Sequence, residues 1–336
     1  IVATIVAAVP PAPGGPALST PEKIRGVCFV AGGRLEGDPW KPIRELGAGW
    51  ISQTPFAWQE SADRPGLKLV TNGHVLWGET DEGLIETTRR AKAAGLKTLL
   101  APQIWLRGHG AWRGTIAMKT DDDWKTWFAE YRAMILHYAA LARDERIEAL
   151  SIGAELSAAT SREAEWRAII AEIRKIYPGA LTYGANWYQE PEAVPFWDAL
   201  DWIGIQAYYP IAEDPSAPPE KVLAAWMSRA DELGKLAARA RRPLIFTEVG
   251  YRSQRGALAE PWVWHTDGAA DPEVQALGFD ALFRAMWDKP WFGGLFVWKW
   301  FPDERAGGPA DATFTPQGKP AEATIRRWFL HGGAAP

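Results

Sequence analysis

The chain has 336 residues, 47% hydrophobic and 23% charged, enough apolar content for a large packed core and too much for a disordered or fibrous protein. Its net charge of −4, with no long basic run, argues against nucleic acid and anionic membranes as partners. Cys28 is the only cysteine, which excludes an intrachain disulfide. The five histidines (His74, His109, His137, His265, His331) lack metal-ligand spacing such as His-Glu-x-x-His.

Residues 1–20 open with an apolar stretch, Ile1 to Val9, that runs into a Pro/Gly-rich segment ending at Pro16. We expect a flexible leader or the remnant of a signal peptide here. On that basis the protein is expected to be exported, periplasmic or extracellular, with a cytoplasmic location as the alternative. The apolar stretch is too short to span a bilayer as a helix. From residue 21 onwards, strand-like runs alternate with helical patterns, as in a parallel sheet covered by helices. Strands are predicted at 26–30, 49–54, 97–102, 149–154, 180–186, 202–207, 243–248 and 294–299. Their near-continuous apolarity fits strands buried on both faces.

Between them, Thr80 opens a helix that runs to Ala94 and is ended by Gly95. Asp121-Asp-Asp begins the longest one, with acidic residues at its positive end and apolar residues at three- and four-residue steps. Further helices are predicted from Ser161 to Tyr177 and near 192–200, 220–240, 271–288 and 318–330. Eight strands separated by helices predict an α/β fold, a (β/α)8 TIM barrel. Length alone would suggest about two domains, but such a barrel fits 21–330 as a single domain, with 331–336 as a tail. Cys28 falls in the first strand and reads as a small core residue.

In this fold the loops after the strands build the site. Those positions are polar and aromatic: Gln53 to Trp58, Gln103 to Trp105, Glu155, Asn186-Trp187, Gln206 to Tyr209, Glu248, and Trp298-Lys-Trp300. Glu155 and Glu248 end the fourth and seventh predicted strands, ninety-three positions apart. Each could instead cap a following helix, but no helix signal lies close behind either. Two carboxylates facing each other across a cleft are the machinery of glycoside hydrolysis, one donating a proton and the other attacking the anomeric carbon. A separation of about 5–5.5 Å would mean retention, and about 6.5–9.5 Å inversion.

The twenty tryptophans divide by position. Trp124, Trp127, Trp166, Trp197, Trp226, Trp287 and Trp328 lie in helical patterns and read as packing. Trp58, Trp105, Trp187, Trp298 and Trp300 lie at strand ends, where flat rings can pack against pyranose C–H faces. Trp112, Trp262 and Trp264, in longer loops, carry less weight. Tyr208 could donate a hydrogen bond to a nucleophilic carboxylate or could be a core residue. Asn186, Gln103 and Gln206 could read sugar hydroxyls or tie down loops.

Several segments, taken together, resemble a known family. They are Gly153-Ala-Glu-Leu156, Leu181 to Trp187, Phe196 to Pro210, Phe246 to Ser253, Val297-Trp-Lys-Trp300 and Phe314 to Pro320. They are similar to the β-1,4-mannanases of glycoside hydrolase family 113, within the clan of retaining (β/α)8 glycosidases, and the likeness runs from about Gly26 to Trp328. The resemblance implies Glu155 as acid/base and Glu248 as nucleophile. It also implies Trp298 as the floor of the reacting subsite and Tyr208 in contact with Glu248. Many members of the wider clan carry asparagine just before the acid/base, contacting the sugar 2-hydroxyl; here that position is Ala154. The contact would then fall to Asn186 or Gln103. The implied activity is retaining hydrolysis of β-1,4-mannan or manno-oligosaccharides, with no metal or cofactor and with a monomer expected. A β-glucan hydrolase and a non-catalytic carbohydrate-binding barrel are the alternatives.

Overall fold

The structure is a computed structural model that describes residues 22–73, 75–107, 112–264 and 268–333. The leader expected over 1–20 lies outside the described residues, as do His74, His109 and His265. In chain order the strands are β1 (Ile24–Phe29), β2 (Trp50–Gln53), β3 (Phe56–Gln59), β4 (Lys97–Leu100), β5 (Gln103–Leu106), β6 (Ala149–Ala154), β7 (Ala180–Asn186), β8 (Ile203–Gln206), β9 (Leu244–Val249) and β10 (Phe292–Trp300). Eight of them close into a parallel barrel in the order β1-β2-β4-β6-β7-β8-β9-β10, while β3 and β5 form a separate parallel pair. The predicted (β/α)8 architecture is thus the one observed.

The β3–β5 pair occupies stretches that read as loop in the sequence. Pro55 and Pro102 each follow the end of a barrel strand and supply no N–H to the ladder. The chain resumes extended pairing one residue later, and Gln103 N–H donates to the Pro55 carbonyl at 2.9 Å. The wall above β2 and β4 is thereby lengthened by a two-stranded extension.

The helices are α1 (Trp40–Glu45), α2 (Asp81–Ala93), α3 (Asp121–Asp144), α4 (Glu163–Ile176), α5 (Glu190–Ala193), α6 (Pro219–Ala240), α7 (Pro272–Met286) and α8 (Pro320–His331). The Thr120 hydroxyl caps α3 by accepting from Asp123 N–H at 3.1 Å, and three aspartates occupy the first turn. Its buried face, including Trp127, Phe128, Tyr131, Ile135 and Tyr138, is the one the three- and four-residue spacing predicts. Helix α1 has no counterpart among the predicted elements; it has six residues, with a proline in its first turn. The helix expected near 192–200 is instead split into α5 and a 3₁₀ turn, Trp197–Ala199, on either side of Pro195. No helix among the described residues is long and apolar enough to cross a membrane.

Two apolar layers result. The larger lies between strands and helices, with Trp127, Trp166 and Trp226 fully buried in it. The smaller one is made of Ile24, Cys28, Leu99, Ala149, Ile245, Phe296 and Trp298 with three other residues, none of them from a helix, so it fills the barrel itself. Cys28 packs there as expected, its thiol aimed at the Thr247 carbonyl 3.7 Å away.

Candidate active site

Glu155 follows β6 directly. Tyr131 of α3 donates to the Ile152 carbonyl at 2.6 Å, so the tyrosine hydroxyl lies tight against the strand end. Gly153 permits that approach, since a Cβ there would stand 2.6 Å from the Tyr131 oxygen. Glu155 itself adopts left-handed backbone, φ 53°, with its N–H donating to the Gly184 carbonyl at 2.8 Å. Non-glycine residues occupy this region only when their surroundings hold them there. Its carboxylate accepts from the Asn186 amide at 2.7 Å on one oxygen and from the Trp112 indole at 3.4 Å on the other. The Arg113 guanidinium stands 3.6 Å from that second oxygen, and both side chains keep about one-seventh of their surface open.

Glu248 lies within β9 near its C-terminal end. Just beyond it, Gly250 passes the Trp298 carbonyl so closely that a Cβ would meet that oxygen at 2.4 Å. The carboxylate is only 6% exposed and has a neutral donor on each oxygen: the Gln103 amide at 2.7 Å and the Tyr208 hydroxyl at 2.9 Å. Burial, and next the charge of Glu155, push it up to about 7, while Arg113, Tyr208 and Gln103 pull the other way. Burial and the charge of Glu248 hold the Tyr208 hydroxyl well above its ordinary value, so it stays a donor.

The two glutamates share an arena. Gln103 donates to Glu248 and accepts from Arg113, whose guanidinium also faces Glu155, so one amide and one cation bridge the pair. Lys299 adds a second cation, lying over the Trp298 and Phe301 rings at 5.4 and 5.2 Å. Burial lowers its ammonium and the charge of Glu248 raises it. Two carboxylates in contrasting settings, one dry and doubly hydrogen-bonded, the other partly open, suit a division of labour between nucleophile and proton donor.

The structure brings Asn186, Gln103 and Tyr208 into direct contact with the glutamates. Trp298 is buried inside the barrel, beneath its mouth, in the same cluster as Phe314. Gln206 is also buried, in register with Glu248 across the β8–β9 ladder. Trp105 is 39% exposed and meets Trp58 and Trp264 at 6.2 Å, forming an aromatic patch on the β3–β5 extension. Trp187 stacks on Trp262 at 5.1 Å, a second patch from the loops after β7 and β9. Trp300 departs from expectation: at 2% exposure it packs among the outer core residues and offers no face to the cleft. The cause is an irregularity in the β1–β10 ladder, where Val27 pairs with Val297 but Phe29 with Trp300. The extra residue reverses the alternation, so Trp298 and Trp300 do not share a side.

Two residues of the site carry no signal that sequence reasoning picks out, Arg113 and Glu190, while Lys299 falls within a strand end that the sequence singles out. Glu190 is 2% exposed and accepts hydrogen bonds from Tyr183, Ser157 and the Asn186 backbone. A charged residue in a loop has no periodicity to betray it.

Comparison with known proteins agrees with this geometry. The family model described as Glycoside Hydrolase Family 113 matches residues 38–319. Among solved structures, the GH113 β-mannanase AaManA from Alicyclobacillus acidocaldarius, in complex with ManMIm, is 31% identical. It superposes with a TM-score of 0.81 over 94% of this chain and 99% of that one. A second GH113 β-1,4-mannanase, described as a complex structure, is 28% identical with a TM-score of 0.80 over 92% and 99%. A family 5 mannosidase from Rhizomucor miehei, 13% identical with a TM-score of 0.59 over 93% of both chains, shares the fold alone. A search of curated proteins gave no match.

Proposed function

The chain belongs to glycoside hydrolase family 113, and from that premise we propose that it cleaves β-1,4-mannosidic linkages in mannan or manno-oligosaccharides by retaining double displacement. Glu155 serves as acid/base and Glu248 as nucleophile. The observation that carries this reading is the pair itself: two glutamates ending β6 and β9, joined through Gln103 and Arg113, one of them dry and gripped by two donors. Two relatives of the same family, whose described activity is β-mannanase, support the choice of sugar.

In the first step Glu248 attacks the anomeric carbon while Glu155 gives its proton to the departing oxygen, leaving a glycosyl ester on Glu248. In the second, Glu155 takes a proton from water, which displaces the ester and frees the carboxylate. Tyr208 and Gln103 keep Glu248 aimed and favour its ionised form. Trp298 is the floor of the reacting subsite. The amides of Asn186 and Gln103 each spend one N–H on a glutamate and keep the other, so each can donate to the 2-hydroxyl that Ala154 cannot reach. The Trp58–Trp105 and Trp187 patches receive neighbouring sugars, and Gln206 lies buried beside Glu248 in the β8–β9 ladder.

The test is hydrolysis across mannan, glucomannan, cellulose and laminarin, with the first-formed anomer read by NMR. Mannan cleavage with a β-configured first product is expected. An α product would refute double displacement, and cleavage of cellulose or laminarin without mannan would move the substrate to β-glucans. Glu155→Gln should cost about 10²–10⁴-fold on natural linkages. Glu248→Gln should abolish turnover.

A further inference from the structure

Outside the two glutamates, one buried acidic group among the described residues is left unused by that mechanism. Glu190 opens α5, in the loop that follows β7, and is almost wholly enclosed. No lysine or arginine pairs with it among the described residues; its partners are neutral donors. Tyr183 donates to one oxygen at 2.6 Å. The Ser157 hydroxyl at 2.8 Å and the Asn186 backbone N–H at 2.6 Å donate to the other. Burial, ahead of any partner, holds this carboxyl up at about 7, and the charge of nearby Glu155 pushes the same way. A buried carboxylate without a cation is a costly way to tie two loops together.

The partners show what it ties. Ser157 is two residues after Glu155. Tyr183, besides donating to Glu190, accepts from the N–H of Leu156 at 2.7 Å. Glu190 therefore grips both residues that follow Glu155, one directly and one through a phenol. Asn186 is the residue whose side-chain amide donates to the Glu155 carboxylate, and its backbone is fixed by the same oxygen that binds Ser157. The left-handed backbone at Glu155 requires restraint from its surroundings, and restraint converges from both sides on Glu190.

We propose that Glu190 is a positioning residue for proton transfer: by clamping Leu156, Ser157 and Asn186 it fixes where the Glu155 carboxylate stands relative to the glycosidic oxygen. It does not touch the sugar. This rests on the reading of Glu155 as acid/base, and the two can fail separately. On kcat/KM, which reports formation of the glycosyl ester, a misplaced acid hurts only substrates whose leaving group needs protonation. A general loosening of the site hurts every substrate alike.

The experiment compares kcat/KM on two substrates, an unactivated manno-oligosaccharide and an aryl β-mannoside with a strongly acidic phenol as leaving group, in wild type, Glu155→Gln, Glu190→Gln and Ser157→Ala. Glu155→Gln sets the reference: a large loss on the oligosaccharide and little on the aryl glycoside. If that selectivity is missing, the acid/base assignment itself falls. With the reference in place, Glu190→Gln should lose about 10–100-fold on the oligosaccharide, as expected for an acid displaced by about an ångström, and less than about threefold on the aryl glycoside. Ser157→Ala, which removes one donor and leaves the rest of the clamp, should show the same selectivity at smaller amplitude, and it decides the matter should Glu190→Gln not fold. Equal losses on both substrates, or none, would overturn the positioning role while leaving the acid/base in place.

Discussion

Removing the Tyr208 hydroxyl is the sharpest probe of how the site keeps its nucleophile charged. Tyr208→Phe deletes the 2.9 Å hydrogen bond to Glu248 and leaves the Gln103 bond on the other oxygen. A hydrogen bond to a charged acceptor contributes about 1.5–3 kcal/mol, and a tenfold change in proton affinity corresponds to about 1.4 kcal/mol, so the loss should raise the Glu248 pKa by about 1–2. The starting point is about 7, already raised by burial and by Glu155. The sign follows from the donor's preference: it binds the ionised form more strongly, so without it the proton is held to higher pH. The nucleophile must be ionised, and so the acid limb of kcat/KM should lie near pH 7 in wild type and higher by that same amount in the variant. At pH 6, below both midpoints, the variant would fall a further ten- to hundredfold behind, in proportion to its smaller ionised fraction, at roughly tenfold for every 1.4 kcal/mol. The assay is kcat/KM on an aryl β-mannoside from pH 4 to 9, with circular dichroism to confirm folding. An acid limb that stays in place would refute the claim that Tyr208 governs the charge of Glu248.

Glu248→Gln should raise stability while removing activity. The folded state holds the Glu248 proton up to about 7, against 4.5 for the ordinary carboxyl, so this group costs stability as pH rises through that window and by a constant amount above it. The gap corresponds to about 3 kcal/mol, reduced by whatever mismatch the new amide makes with Gln103. Thermal melts should therefore show a larger gain for the variant at pH 8 than at pH 4.5, and equal gains would contradict this. Trp262→Ala removes the ring stacked on Trp187 at 5.1 Å. It should raise KM on polymeric mannan about five- to thirtyfold, the equivalent of about 1–2 kcal/mol, while leaving an aryl mannoside unaffected. An unchanged polymer KM would remove that patch from the binding surface.

The eight barrel strands are legible because each is largely buried and reads as a mostly apolar run. β3 and β5 are not, since a proline just before each gives the signature of a loop, although the pairing resumes immediately after. Glu155 and Glu248 stand out as carboxylates at the ends of apolar strands. Arg113 and Glu190 lie in loops among many other charged residues, and their importance arises only when closure of the barrel carries them to the glutamates. Trp300 reads as a cleft residue because alternation along β10 cannot reveal the irregular pairing with β1 that turns the ring outward.

The seam at Pro102 has a practical corollary for anyone remodelling this enzyme. Gln103, the amide that grips the nucleophile, is the first residue of the added two-stranded wall, not the last of the cylinder below. Because side chains in extended chain switch sides at every step, a single inserted or deleted residue between Leu100 and Gln103 would swing that amide to the opposite surface. New loops for altered specificity can be grafted past Gln59, whereas the segment after Leu106 must keep Trp112 and Arg113 against Glu155, and the short joint beneath must keep its length.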